Sequence, residues 1–258
     1  MPTITVDGQD TLLDIKGEGP NSILFIHGIG AGAASWELVA QGLPENYRAL
    51  LLDLPGFGSS ARGGFTGDID DAATFVHHAL HSFGQTEPLS IVGHAYGAQV
   101  ALSFTARFPD HVDHLALLAT SGLDHDTTTT LERAASIQTS GWDETEAANW
   151  LRSGFIEEPN DEHFAAMQTA AAAPDADLIA GCFISSAKRV FLEYSDLITT
   201  PTVLIHGSQD PFVRQDGVHA LASRLQSSSL VTLDGVGHTA PIEAPDEVRA
   251  ELIRFLSA

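Results

Sequence analysis

The segment from Ser90 to Gly97 constrains the fold of this chain more than any other stretch of its sequence. An apolar run, residues 89–92, leads directly into Gly93-His94-Ala95-Tyr96-Gly97. Glycines on both sides of Ala95 are typical of a sharp turn between a strand and a helix, where larger side chains would clash with nearby backbone. The sequence therefore predicts a buried strand that turns abruptly into a helix, with Ala95 displayed at the tip of the turn.

Four other apolar runs also end in polar or glycine-rich loops, at residues 22–26, 48–52, 114–118 and 202–205. Such runs alternating with helix-forming stretches are the pattern of parallel strands covered by helices on both faces. We expect an α/β fold with a mostly parallel central sheet. The loops that follow these strands would then share one edge of the sheet, where open α/β sheets bind their ligands.

Strand-like runs disappear between residues 122 and 199, where alanine, glutamate, threonine and tryptophan recur at helical spacing. We interpret this stretch as a small helical cap inserted into a core made of residues 1–121 and 200–258. Aromatic residues of the cap and of the loops facing it are expected to line an apolar pocket for a small substrate. The candidates are Phe57, Trp142, Trp150, Phe155, Phe183 and Phe212.

Composition excludes several classes of partner. The chain has 34 acidic residues against 12 lysines and arginines, a net charge of -22, which repels nucleic acids and anionic membranes. The chain has no secretion-signal pattern at residues 1–7 and no apolar run long enough to span a membrane, so we expect a cytoplasmic protein. The single cysteine, Cys182, excludes an internal disulfide. We predict a small-molecule substrate, no cofactor and no metal, and the oligomeric state is left open.

Four motifs come in the order typical of the α/β-hydrolase fold superfamily, which the chain resembles over nearly its whole length. They are His27-Gly28-Ile29-Gly30, the segment 93–97, Gly207-Ser208-Gln209-Asp210 and Gly235-Val236-Gly237-His238. The resemblance implies an attacking residue at position 95 and a general base at His238, since histidine titrates near neutral pH. It further implies that Asp210, or alternatively Asp124, orients the base. The backbone N–H groups of Ile29 and Tyr96 would form the oxyanion hole.

Two histidines near these motifs, His94 and His206, are interpreted as hydrogen-bonded packing residues. His77 and His81 fall on one helix face, but no carboxylate completes a metal site there.

Alanine at position 95 leaves three hypotheses open. In the first, which we favour, the natural residue is serine and the chain is an inactivated ester or lactone hydrolase, because the loop 27–30 and the small cap resemble those of carboxylesterases and enol-lactone hydrolases. In the second, alanine is natural and His238 activates water or abstracts a substrate proton. In the third, the chain binds a ligand without catalysis. Loss of a triad nucleophile costs about six decades in rate, so an alanine at this position leaves little ester hydrolysis.

Overall fold

The computed structural model describes residues 3–121, 126–157, 161–188 and 190–257, and the fold is built on one eight-stranded sheet. The strands are β1 Thr3–Val6, β2 Gln9–Lys16, β3 Asn21–Ile26, β4 Tyr47–Leu52, β5 Leu89–His94, β6 Val112–Leu118, β7 Thr202–Gly207 and β8 Ser228–Leu233. Their order across the sheet is β1-β2-β4-β3-β5-β6-β7-β8. The pairs β1–β2 and β2–β4 are antiparallel and the other neighbours are parallel, which confirms the predicted fold class.

The α-helices connect the strands and cover the sheet. They are α1 Glu37–Ala40, α2 Ile69–Phe83, α3 Tyr96–Arg107, α4 Thr127–Ser140, α5 Glu144–Ser153, α6 Asp161–Ala172, α7 Ala176–Ser186, α8 Val190–Tyr194, α9 Gln215–Arg224, α10 Ala240–Glu243 and α11 Pro245–Leu256. Short 3-10 turns lie at Ala33–Trp36, Pro109–His111 and Ser195–Leu197.

The central strands are buried on both faces. Because successive side chains of a strand point to opposite faces, Leu24 and Ile26 of β3 join one core cluster, whereas Ile23 and Phe25 join the other. The first cluster includes apolar residues of α2 and α3, and the second includes those of α1 and α11. The continuous apolar runs of the sequence therefore reflect helices packed on both sides of a parallel sheet.

Three strands at or next to the edges of the sheet were not predicted from the sequence, namely β1, β2 and β8. β1 and β8 alternate exposed, half-buried and buried residues, so neither contains a continuous apolar run. β2 begins with two exposed polar residues, Gln9 and Asp10, before its buried stretch. Edge strands bury fewer side chains than central strands, and their sequence signal is weaker for that reason.

Helices α4 to α8 lie between β6 and β7 in the chain, although these two strands are neighbours in the sheet. We call residues 126–157, 161–188 and 190–197 the cap segment. The division of the chain at residues 122 and 199 stays a prediction. Among the described residues, no helix is long and apolar enough to cross a membrane.

The turn from β5 into α3 has the strained backbone expected of a sharp bend. Ala95 has φ 52° and ψ -113°, a region that residues other than glycine rarely adopt. A Cβ atom on Gly93 would lie 2.4 Å from the carbonyl oxygen of Gly97, and one on Gly97 would lie 2.3 Å from that of Ile26. Glycine at both positions thus lets α3 start directly against β3 and β5.

We predict that Gly97→Ala lowers the free energy of unfolding by at least about 2 kcal/mol, because its methyl group collides with rigid backbone. Urea denaturation monitored by circular dichroism measures this loss. Gly64→Ala is the matched control, since a Cβ there meets nothing within 4 Å, and its effect should stay within about 0.5 kcal/mol. Equal midpoints for the two variants would contradict the packing described for the turn.

Candidate active site

A carboxylate and an imidazole meet where the loops after β7 and β8 come together. Nδ1 of His238 lies 2.8 Å from Oδ2 of Asp210. The Asp210 side chain is fully buried, and that of His238 is 12% exposed. The other carboxylate oxygen of Asp210 accepts the backbone N–H groups of Phe212 and Val213 at 2.8 and 3.0 Å. Asp210 is therefore fixed in orientation by its own loop and directed at His238.

Burial raises the pKa of Asp210, but the positive charge of His238 and the hydrogen bonds to the carboxylate outweigh it, so the pKa lies below its ordinary value. An ionised Asp210 accepts the Nδ1–H of His238 and leaves Nε2 as the basic nitrogen. Nε2 has no hydrogen-bond partner among the described residues, and the ring borders the main cavity. Asp124, the alternative acid, lies outside the described residues.

The loop after β3 is held by a buried histidine. The backbone N–H of Leu54 donates to Nε2 of His27 at 3.0 Å, so Nδ1 carries the proton and donates to the carbonyl of Gly28 at 2.8 Å. Burial lowers the pKa of His27, which keeps the ring neutral and this arrangement intact. A Cβ on Gly28 would lie 3.2 Å from Cβ of Ala95, so the loop passes directly beside the turn.

Two backbone N–H groups near Ala95 are available to donate hydrogen bonds to a ligand. The N–H groups of Ile29 and Tyr96 donate to no acceptor in the part of the chain that the structure describes. The Tyr96 amide is the first of α3, and the opening amides of a helix have no partner within the helix. Both residues border the same cavity as Ala95, which is the arrangement required of an oxyanion hole.

A buried carboxylate behind this loop was not singled out by the sequence analysis. Oδ1 of Asp53 accepts the N–H of Ala33 at 2.6 Å, and Oδ2 accepts the N–H of Ser59 at 2.8 Å. Asp53 follows β4 and thereby joins the loop after β3 to the loop after β4. In the sequence, Asp53 is marked only as an aspartate that directly follows an apolar strand. Aspartate at such a position is also common in ordinary turns, so it does not point to this role.

Trp150 of α5 connects the cap segment to the candidate catalytic groups. Its indole N–H donates to the carbonyl of Ile29 at 3.3 Å. Its ring stacks on Phe212 with centroids 5.0 Å apart and meets Phe183 edge-on at 5.1 Å. Phe212 in turn contacts the His238 ring edge-on at 5.0 Å. These aromatic contacts run from the cap to the loop of Ile29 and to the imidazole.

The main cavity measures about 780 Å³ and is bordered by groups from the core and from the cap segment. Seven of the residues predicted for the site border it: Ile29, Ala95, Tyr96, Trp150, Phe183, Phe212 and His238. Asp210 is not among the residues that border the cavity and contacts His238 through Nδ1. The structure thus brings together the groups that the motifs predicted to be neighbours.

Three aromatic residues predicted to line the pocket lie elsewhere. Phe57 is fully buried against the ring of His27, with centroids 5.1 Å apart. Trp142 donates its indole N–H to the carbonyl of Ala171 at 2.8 Å, and its ring lies near Gly30, where a Cβ would be 3.7 Å from it. Phe155 packs edge-on against Phe164 at 6.3 Å. The lining found for the cavity includes none of these three, so we correct the expected pocket wall accordingly.

A charged pair of the cap segment also borders the cavity. Arg133 of α4 contacts Glu146 of α5 at 2.6 Å, and its guanidinium lies 5.6 Å from the centre of the Trp150 ring. Neither residue was predicted from the sequence, because a charged pair thirteen residues apart looks like ordinary helix surface. The pair links α4 to α5 at the polar side of the cavity.

His94 supports the loop of His238, in line with the packing role expected for it. Its Nε2–H donates to the carbonyl of His238 at 2.8 Å. Burial, and then the positive charge of His238, lower the pKa of His94 to about 3. The ring therefore stays neutral at any pH at which an enzyme of this kind would work. Among the described residues no group of three potential ligands could hold a metal ion.

Comparison with known proteins identifies the family. A family model described as alpha/beta hydrolase family matches residues 23–251. The chain is 33% identical over 120 residues to the abhydrolase domain-containing protein abhd-5.2 of Caenorhabditis elegans, covering 45% of this chain and 27% of that protein. It is 24% identical to monoacylglycerol lipase ABHD6 of Bos taurus, over 92% of this chain and 75% of that one.

Solved structures agree on the fold. The enol-lactonase from Burkholderia xenovorans LB400 superposes with a TM-score of 0.87 at 18% identity, over the whole of both chains. The fold, the order of the motifs and the match to the family model lead to one conclusion: the chain belongs to the α/β-hydrolase family.

The low pKa of His94 predicts a specific acid sensitivity. The unfolded chain protonates His94 near pH 6.5 and the folded chain does not, so each pH unit between 6 and 4.5 removes about 1.4 kcal/mol of stability through this group. His94→Gln keeps an N–H donor and abolishes the titration. Urea denaturation at several pH values gives the free energy of unfolding as a function of pH. Between pH 6 and 4.5 this free energy should fall by about 1.4 kcal/mol less per pH unit in the variant than in the parent. Identical slopes would show that His94 is protonated in the folded protein.

Proposed function

We propose that this chain is the scaffold of a hydrolase for small esters, lactones or related carbonyl compounds, in which residue 95 is the position of the attacking atom. One observation carries the proposal: His238, joined to Asp210 at 2.8 Å, borders the same cavity as Ala95 at its strained turn. A backbone held at positive φ costs about 1 to 3 kcal/mol, and such strain is concentrated at functional sites.

With serine at position 95, each group has a defined task. Nε2 of His238 takes the hydroxyl proton as the oxygen attacks the substrate carbonyl, and Asp210 stabilises the imidazolium that forms. The N–H groups of Ile29 and Tyr96 bind the oxyanion of the tetrahedral intermediate. The imidazolium then protonates the leaving alcohol, and water attacks the acyl-enzyme by the same route. Alanine at position 95 removes the attacking oxygen and leaves the other groups in place.

The cavity supports a substrate with an apolar acyl part. Trp150, Phe183, Phe212 and Met167 contribute apolar surface around Ala95, and the volume of about 780 Å³ suits a small molecule. The names of the relatives, a monoacylglycerol lipase and an enol-lactonase, belong to the same chemistry of ester and lactone carbonyls. We infer that serine is the natural residue and that Ala95 makes this chain inactive or strongly impaired.

A second function shares the same supporting observation. The intact pair of Asp210 and His238 beside a methyl group is also what a water-activating enzyme needs, with His238 as base and the two amides as oxyanion hole. Such an enzyme would be active with alanine at position 95 and would lose that activity in His238→Ala.

Ala95→Ser tests the primary proposal. Hydrolysis of p-nitrophenyl acetate should rise at least about a thousandfold over this chain, because the nucleophile of a triad carries most of its rate enhancement. Release of p-nitrophenolate, followed by absorbance, measures the rate. His238→Ala in the same variant should abolish the gain. Ala135→Ser, on the exposed side of α4, is the control for an added hydroxyl and should change nothing.

A gain below about tenfold for Ala95→Ser, with correct folding by circular dichroism, would contradict the serine-hydrolase proposal. Activity already present with Ala95 and lost in His238→Ala would instead support the water-activating enzyme. Ligand-induced stabilisation without turnover in either form would support a binding protein.

A further inference from the structure

Glu243 holds both sides of the His238 loop. It is the last residue of α10, five positions after His238. Its Oε2 accepts the backbone N–H of Gly237 at 3.2 Å, and its Oε1 accepts that of Thr239 at 3.0 Å. The amides on either side of His238 are therefore bound to one carboxylate.

The same carboxylate also reaches the cap segment. Oε2 of Glu243 accepts the N–H of Ile156 at 3.1 Å, and the N–H of His238 donates to the carbonyl of Gly154 at 2.9 Å. A Cβ on Gly237 would lie 2.9 Å from the Gly154 oxygen, from Glu243 Oε1 and from Cγ1 of Ile156. The turn 154–156 and the loop 237–239 are thus in direct contact, with Glu243 bound to both.

Capping of a short helix does not account for all of these contacts. Thr239 is the residue before the first turn of α10, so its bond to Glu243 alone is an ordinary closure of a helix start. Gly237 lies outside the helix, and Ile156 belongs to the cap segment, 87 residues away from Glu243. Hydrogen bonds from amides to an ionised carboxylate are about twice as strong as neutral ones, and three of them converge here.

Together these hydrogen bonds engage every polar group of His238 except Nε2. Its N–H is bound by Gly154, its carbonyl by His94, its Nδ1–H by Asp210, and its two neighbours by Glu243. A base must be held close to its productive geometry, and a shift of about 1 Å costs up to about a hundredfold in rate.

We propose that Glu243 is a positioning residue that fixes His238 and the cap turn 154–156 relative to each other. The docking of the cap and the placement of the base then form one structural unit. The catalytic consequence rests on the proposed function, since it requires His238 to act as base, whereas the structural claim can be tested without turnover.

The structural test uses this chain with Ala95 in place. An Nδ1–H proton bound to a buried carboxylate gives a low-field ¹H NMR resonance, which His238→Ala assigns by its loss. Glu243→Ala removes all three bonds, and Glu243→Gln leaves one acceptor oxygen for three amides. We expect the resonance to shift or disappear in both variants. Glu247→Gln is the control, because this exposed glutamate of α11 undergoes the same change of charge, and it should keep the resonance.

The kinetic test combines the same substitutions with Ala95→Ser. We expect kcat for p-nitrophenyl acetate to fall about ten- to a hundredfold in Glu243→Ala, with KM within about threefold, because the base is displaced and the binding cavity remains. Glu247→Gln should keep kcat. If Glu243→Ala does not fold, Glu243→Gln provides both measurements.

An unchanged resonance in Glu243→Gln, together with kcat within about twofold of its parent, overturns the proposal. An inactive Ala95→Ser parent would count against the proposed function alone, and the resonance would then decide the role of Glu243.

Discussion

The close contact of Gly97 with the end of β3 is the constraint on which the candidate site depends. Since a Cβ at Gly97 would lie 2.3 Å from the Ile26 oxygen, α3 begins directly against the strand that carries the His27-Gly28-Ile29 loop. This contact places the first amide of α3 next to the amide of Ile29, and it holds Ala95 at positive φ between them. The candidate oxyanion hole is thus a product of backbone packing and does not require any particular side chain at position 95.

The cap segment is hydrogen-bonded to both parts of the candidate site. Trp150 binds the carbonyl of Ile29, and Gly154 binds the amide of His238, so α5 and the turn after it contact both halves of the site. A cap that only covered the cavity would need apolar contacts alone. These polar contacts instead make the position of the cap part of the geometry of the candidate base and oxyanion hole.

The central strands and the motif residues could be predicted from sequence because their signals are local. A buried parallel strand is a continuous apolar run, and Asp210 follows such a strand in a glycine-containing loop. His238 is marked by the glycines that precede it in its own loop. Phe57, Trp142 and Phe155 were misplaced because an aromatic residue packs equally well in a core, between helices or along a cavity. Glu243 and Asp53 each bind one backbone amide that is distant in the chain, that of Ile156 and that of Ala33, and such contacts leave no pattern in a single sequence. β1 and β8, half exposed at the sheet edges, lack the run that marks a strand.

The proposed chemistry requires that position 95 faces His238 beside the amides of Ile29 and Tyr96. A crystal structure of the Ala95→Ser variant after reaction with a fluorophosphonate tests this geometry most directly, because the adduct mimics the tetrahedral intermediate. We expect a covalent adduct at position 95, with its phosphoryl oxygen within hydrogen-bond distance of both amides and Nε2 of His238 close to the new ester oxygen. Absence of an adduct in the folded variant, or a phosphoryl oxygen directed away from the two amides, would contradict it.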